Sequence, residues 1–152
     1  MSFRERIIET ARKYEADYVG FGSVSSFEGT NVTKIFDRTK TVICLGFRVL
    51  RGSYRGVEEG TTYYQYSTTG VETIEETIMP MALLKVSGVI EDEGYIAVPQ
   101  KRNQLISDKT EGTNPEVYHN EIYRIDEPQL DFLSCAVLCG IGERGLSGSV
   151  LT

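Results

Sequence analysis

Met79-Pro-Met-Ala-Leu-Leu-Lys-Val-Ser-Gly-Val-Ile-Glu-Asp-Glu-Gly-Tyr-Ile-Ala-Val-Pro99 changes its pattern once, at Gly94. Before that point Met79, Leu83, Val86 and Ile90 keep the helix period, and Ala82 and Val89 widen the apolar stripe. The helical pattern reaches back to about Thr62. Pro80 has no backbone N–H to donate, so the spacing predicts a kink or a break there. Gly94 suits the left-handed position that ends a helix, and Tyr95 to Pro99 then reads as a strand.

The same switch occurs near the start of the chain. Ser2 and Glu5 have the spacing of a capping box, and Phe3, Ile7, Ile8, Ala11 and Tyr14 form a helical stripe. Asp17 to Val24 reads as a strand with small glycines in it. Thr41 to Val49 is a second strand, apolar enough to be covered on both faces. Asp126 and Pro128 open a last helix with Leu130, Leu133, Val137 and Leu138 facing inward and Gly140 closing it. Ser149 to Thr152 can form a short final strand, while Gln100 to Ile125 is mostly polar and takes no clear pattern. The expectation is an α+β fold whose central sheet holds Asp17–Val24, Thr41–Val49 and Tyr95–Pro99, with helices packed against it.

The whole chain, 1–152, is the size of one domain, and 40% hydrophobic with 25% charged residues is globular composition. A net charge of −6 gives no strong nucleic-acid signal, because the basic run Arg48, Arg51 and Arg55 is followed at once by Glu58 and Glu59. No apolar run is long enough to cross a bilayer, so no membrane partner is expected. The opening residues are charged with no signal-peptide core behind them, which predicts a cytoplasmic protein. There Cys44, Cys135 and Cys139 are expected as free thiols.

Gly140-Ile-Gly142-Glu-Arg-Gly145 spells the dinucleotide-binding pattern, but a helix precedes it and no room remains for the helix that should follow. What the glycines do allow is a tight turn that lies flat against a planar ligand or against another backbone. Cys135 and Cys139 lie one helical turn apart, and Cys44 and His119 complete a count of four soft ligands. Their order matches no common zinc spacing and their neighbours are apolar, so packing is the reading and no metal or iron–sulfur cluster is assigned to this chain. His119 has no nucleophile or orienting acid that sequence can pair with it. The Tyr63, Tyr64 and Tyr66 cluster reads as half-buried packing, and equally as phenols able to stack on a planar cofactor or donate a proton.

Two stretches resemble one family. Val89-Ile-Glu-Asp-Glu-Gly-Tyr-Ile-Ala-Val-Pro99 resembles the helix end and strand L-E-x-x-G-Y-x-A-x-P of the cobalamin-dependent epoxyqueuosine reductase and reductive dehalogenase superfamily. Cys139-Gly-Ile-Gly-Glu-Arg-Gly-Leu-Ser-Gly-Ser-Val-Leu-Thr152 resembles A-G-L-G-E-x-x-R-x-G-x-L-I-T-P, which precedes the iron–sulfur module of those proteins. The resemblance implies a nitroreductase-like domain, here without the ferredoxin-like module. It places cobalamin against Tyr64, Gly140, Gly142, Gly145 and Gly148, with Tyr66 and Asn103 in catalytic roles. An iron–sulfur donor, in cis or in trans, would supply electrons to an oxidoreductase reaction.

The departures from the pattern are specific. Leu146 stands where the dehalogenase pattern has arginine, and Gln-Lys-Arg-Asn follows Pro99 in place of an acid-containing run. The chain stops where the family continues into its cluster ligands. Two rival readings therefore stand beside the first: a shortened, non-catalytic relative that binds a cofactor or a protein, and a flavin domain that binds FMN in the same fold. With no iron–sulfur module beside the last helix, Val150 and Leu151 predict a homodimer.

Overall fold

The computed structural model describes residues 1–61, 70–101, 128, 130–146 and 148–152. Helix α1 (Phe3–Lys13) opens with the expected capping box: the Glu5 N–H donates to Ser2 Oγ at 3.2 Å and the Ser2 N–H donates to Glu5 Oε2 at 2.6 Å. The helix ends in a Schellman turn. Ala16 N–H donates to the Ala11 carbonyl and Glu15 N–H to that of Arg12, which holds Glu15 in the left-handed region at φ 69°.

Strand β1 (Tyr18–Ser23) follows, then a 3₁₀ turn (Val24–Phe27) and the short helix α2 (Val32–Ile35). Strand β2 (Thr41–Gly46) returns antiparallel to β1, with Tyr18 opposite Gly46, Gly20 opposite Cys44 and Ser23 opposite Thr41. The second strand is shorter than its apolar run, which continues to Val49. The ladder stops because its partner stops: Asp17 N–H donates to the Gly46 carbonyl, and the Arg48 N–H is taken by the Asp17 carboxylate at 2.6 Å.

A 3₁₀ turn (Arg51–Tyr54) and the short helix α3 (Arg55–Glu58) lead away from the sheet. The helical run then resumes as α4 (Val71–Thr73), a π-helical turn (Ile74–Ile78) and α5 (Met79–Asp92). The disturbance expected at Pro80 sits just before it. Pro80 lacks an N–H and its ring crowds the carbonyl four residues back; the chain widens by one residue, so that Met79 N–H reaches Ile74 O. Helix α5 ends as its sequence promised, with Gly94 at φ 82°, Gly94 N–H donating to Glu91 O and Tyr95 N–H to Ile90 O.

Tyr95–Pro99 is the clear departure from expectation. It forms no strand, and no backbone hydrogen bond from another described residue reaches Ile96, Ala97 or Val98. The Tyr95 ring stacks on Phe3 of α1, with centroids 5.5 Å apart, which carries the chain away from the strands. The segment runs back along α5 until Lys101 Nζ meets Glu76 Oε2 at 2.8 Å. Seven extended residues reach about 23 Å, close to the roughly 24 Å that the helix rises between those ends. The sheet between the helices is therefore a two-stranded ribbon, and a second pair, β3 (Glu143–Arg144) with β4 (Val150–Leu151), stands apart from it.

The last helix, α6 (Phe132–Leu138), begins at an N-cap Asp131 whose carboxylate accepts from Leu133 and Ser134 N–H. The sequence-predicted opening at Asp126 lies outside the described residues. Leu133 and Leu138, expected to face inward, are exposed, and Cys135 and Cys139 are the buried pair. The cause is on the facing strand. A Cβ on Gly20 would lie 2.4 Å from the Cys139 carbonyl, and one on Gly22 would lie 2.9 Å from the Leu138 carbonyl. The helix end comes so close to the strand that only small side chains fit between them.

The ribbon thus separates two cores. Val19, Phe21, Ile43 and Leu45 pack on Ile7, Ala11 and Val86 of α1 and α5. Val42 and Cys44 on the other face pack with Phe27, Val32, Cys135 and Cys139. An α+β arrangement is what the described residues show. Gly20→Ala should lower the urea-unfolding free energy by about 1–3 kcal/mol, since its methyl meets backbone that cannot move aside. Glu15→Gly should raise it by up to about 1 kcal/mol by removing the left-handed strain; a lower value for that variant would contradict the strain.

Candidate functional site

Helix α6 hands the chain directly to the glycine turn. Ile141 N–H donates to the Ala136 carbonyl and Gly140 N–H to that of Val137, with Gly140 at φ 73°, so the helix ends in the same Schellman geometry as α1 and α5. The chain then crosses β3, turns, and returns as β4, with Glu143 opposite Leu151 and Arg144 opposite Val150. Gly145 N–H donates to Ser149 O and Gly148 N–H to Gly145 O, closing the loop on itself. Arg144 is drawn back to the helix start, its guanidinium 3.6 Å from the Asp131 carboxylate.

The four glycines of the turn divide into two pairs. A Cβ on Gly142 would lie 2.1 Å from the Leu151 carbonyl, and one on Gly145 would lie 3.2 Å from the Leu151 side chain. Those two glycines make room for the hairpin's own second strand. Gly140 and Gly148 both have positive φ and no atom of the described residues within 4 Å of the Cβ position. A planar ligand could approach this outer pair and not the inner one. Bulk at Gly142 would consequently break the hairpin itself, so it cannot serve as a test of ligand binding alone. Leu146, in the place of the family's arginine, is fully exposed.

Tyr63, Tyr64, Tyr66, Asn103 and His119 lie outside the described residues. A depression lies on the far side of the ribbon from the glycine turn, between α1 and α5. It is lined by Arg6, Glu9, Thr10, Val89 and Asp92 and measures about 230 Å³. That is below the roughly 300–1,000 Å³ typical of small-molecule sites.

Fold and turn are therefore in view without an external guide. Neither family models, nor curated proteins, nor solved structures match this chain.

The feature that sequence spacing only half disclosed is the thiol cluster. Cys135 and Cys139 were visible as neighbours one turn apart; the ribbon's register is what brings Cys44 beside them. Cys139 Sγ donates to the Val42 carbonyl at 3.5 Å. Burial pushes the Cys44 thiol up to about 11, helped by the Cys135 sulfur. Burial also pushes Cys139 up to about 12, reinforced by Cys44 and Cys135 against the backbone N–H groups of Cys44 and Gly22. Cys135 is raised for the same reason, burial first and the Asp131 charge second. Among the described residues no group of three or more His, Cys, Asp or Glu side chains is arranged to hold a metal ion.

Thiols held protonated are poor nucleophiles, so alkylation measures the cluster directly. At pH 8 iodoacetamide should label Cys44 at least about a hundredfold more slowly in the native protein than in guanidinium, given the shift from an ordinary 9.0 to about 11. The linkage has one sign. Raised folded-state values contribute stability below pH 9 that is lost as pH climbs through 11 to 12, so unfolding should become easier in that alkaline window. A Cys44→Ala/Cys139→Ala variant should show a flatter stability profile there.

Proposed function

We propose that this chain is a corrinoid-binding, reductase-like domain with the nitroreductase-like fold of the epoxyqueuosine reductase and reductive dehalogenase superfamily. The observation that carries the reading is the outer face of the glycine turn. Gly140 and Gly148 leave backbone that no described residue covers, while Gly142, Gly145 and the Schellman end of α6 hold that backbone in place from beneath. A flat, rigid, side-chain-free surface is what a large planar ring needs for close approach. The second support is the order of elements: a helix closed by Gly94 and an extended segment through Pro99, then the glycine turn at the end of the chain.

In this reading Gly140 and Gly148 form one wall, and Gly142 and Gly145 position that wall. Bound cobalt would supply the reducing chemistry, with electrons delivered by an iron–sulfur donor in cis or in trans. Tyr64, Tyr66 and Asn103 are proposed for the opposite side, Tyr66 and Asn103 as the groups nearest the reaction.

A second reading, a non-catalytic relative that binds a cofactor or a protein, has its own support. Leu146 brings no charge to the turn, and Arg144 is already engaged with Asp131. The two readings separate in one titration series with hydroxocobalamin and with flavin mononucleotide, followed by absorbance. Saturable binding of hydroxocobalamin is expected. Leu146→Glu, on a fully exposed side chain, should weaken it several-fold without moving the thermal midpoint. Binding of flavin alone would transfer the site to FMN, and binding of neither would leave the non-catalytic reading.

A further inference from the structure

Helix α5 has two faces, and only one of them is used. Ala82, Val86, Val89 and Ile90 are turned into the core with α1 and the ribbon. Met81, Leu84, Lys85, Gly88 and Glu91 recur at the spacing of a single helix face, and all of them are exposed, Leu84 by 62%. Beside its two charges this face carries an exposed methionine and leucine, and at Gly88 it carries no side chain at all.

Gly88 sits in the helix interior at φ below zero, with no atom of the described residues within 4 Å of its Cβ position. No contact among the described residues requires a glycine there, and glycine is the poorest non-proline helix former. Its bare backbone is where a second helix could cross most closely. The charges on either side decide which helix that is. Lys85 lies three residues before Gly88 and Glu91 three residues after. Among the described residues neither has an ion-pair partner; the Lys85 ammonium lies over the Tyr14 ring, 5.9 Å from its centre. Six residues apart on one helix, the two are too distant to pair with each other. A two-fold axis through Gly88 brings Lys85 of one copy opposite Glu91 of the other, twice.

We propose that α5 is the interface of a homodimer, with two copies crossing antiparallel at Gly88, Leu84 against the last turn of the partner helix, Met81 against the chain just beyond that turn, and Lys85–Glu91 pairs on both sides. This surface is a better fit for a second copy than the terminal hairpin. There Val150 is half-buried against Gly142, and of the two charges beside Leu151, Glu143 and Arg144, the arginine is already engaged by Asp131 within the chain. An isologous contact needs a self-complementary patch, and the sequence about Gly88 is self-complementary in charge.

Sedimentation equilibrium on the purified chain tests the assignment. Wild type should be a dimer at micromolar concentration. Gly88→Leu should be monomeric, and because leucine favours the helix its thermal midpoint as a dilute monomer should not fall, which separates lost pairing from lost folding. Lys85→Glu should weaken dimerisation by about tenfold, since two attractive pairs become repulsive. The double variant Lys85→Glu/Glu91→Lys should restore it. A monomeric wild type overturns the proposal, as does a dimer that survives Gly88→Leu or dissociates with Leu151→Glu instead.

Discussion

The close contact between β1 and the end of α6 is the constraint on which the rest of the described structure depends. Two strands alone cannot hold their shape in water, because neither face of the ribbon is covered by its own side chains. One face is covered in the usual way, with Val19, Phe21, Ile43 and Leu45 against α1 and α5. The other face is covered by backbone nearly touching backbone, at Gly20 and Gly22 under the carbonyls of Cys139 and Leu138. At that separation a leucine on the helix or an alanine on the strand has no space. The glycines and the cysteines are therefore one feature, seen from two elements far apart in the chain.

This contact also places the glycine turn. Because α6 is pressed onto β1 through Cys139, the next residue leaves the helix at a fixed point, and Gly140 must take a left-handed conformation to turn the chain. The hairpin that follows packs on itself through Leu151. The turn is stiff on its inner side and bare on its outer side, which is why the proposed cofactor wall falls on Gly140 and Gly148 and not on all four glycines. The thiols share the same cause: where α6 meets β1 the space takes small side chains, and burial there keeps three sulfurs protonated.

The opposite side of the molecule is organised by α1 and α5. Phe3 lies near Tyr95, Arg6 is ion-paired to Glu93, and Lys85 lies over Tyr14, so the two helices run antiparallel. That packing uses one face of α5 and leaves the Met81–Glu91 face outside. The glycine turn, the ribbon and the open face of α5 thus lie in successive layers, and a ligand at the first would not obstruct a partner at the last.

What the sequence by itself determined are the features whose partners lie within a few residues. The capping box at Ser2 and Glu5, the helix ends at Gly94 and Gly140, the stripe of α1 and the first two strands all stand where their local patterns put them. Hydrogen bonds spanning three to five residues, and side-chain periods of two or 3.6, are written along the chain. Only the tertiary structure decided what those elements meet. Tyr95–Pro99 has strand-forming residues but follows the Phe3 ring in place of a neighbouring strand, because extended residues become a strand only when a partner offers its hydrogen bonds. The inward face of α6 went to its thiols and not its leucines for a reason that lies on another element, more than a hundred residues earlier in the chain: the missing side chains of Gly20 and Gly22 set a separation that admits small side chains and not leucine.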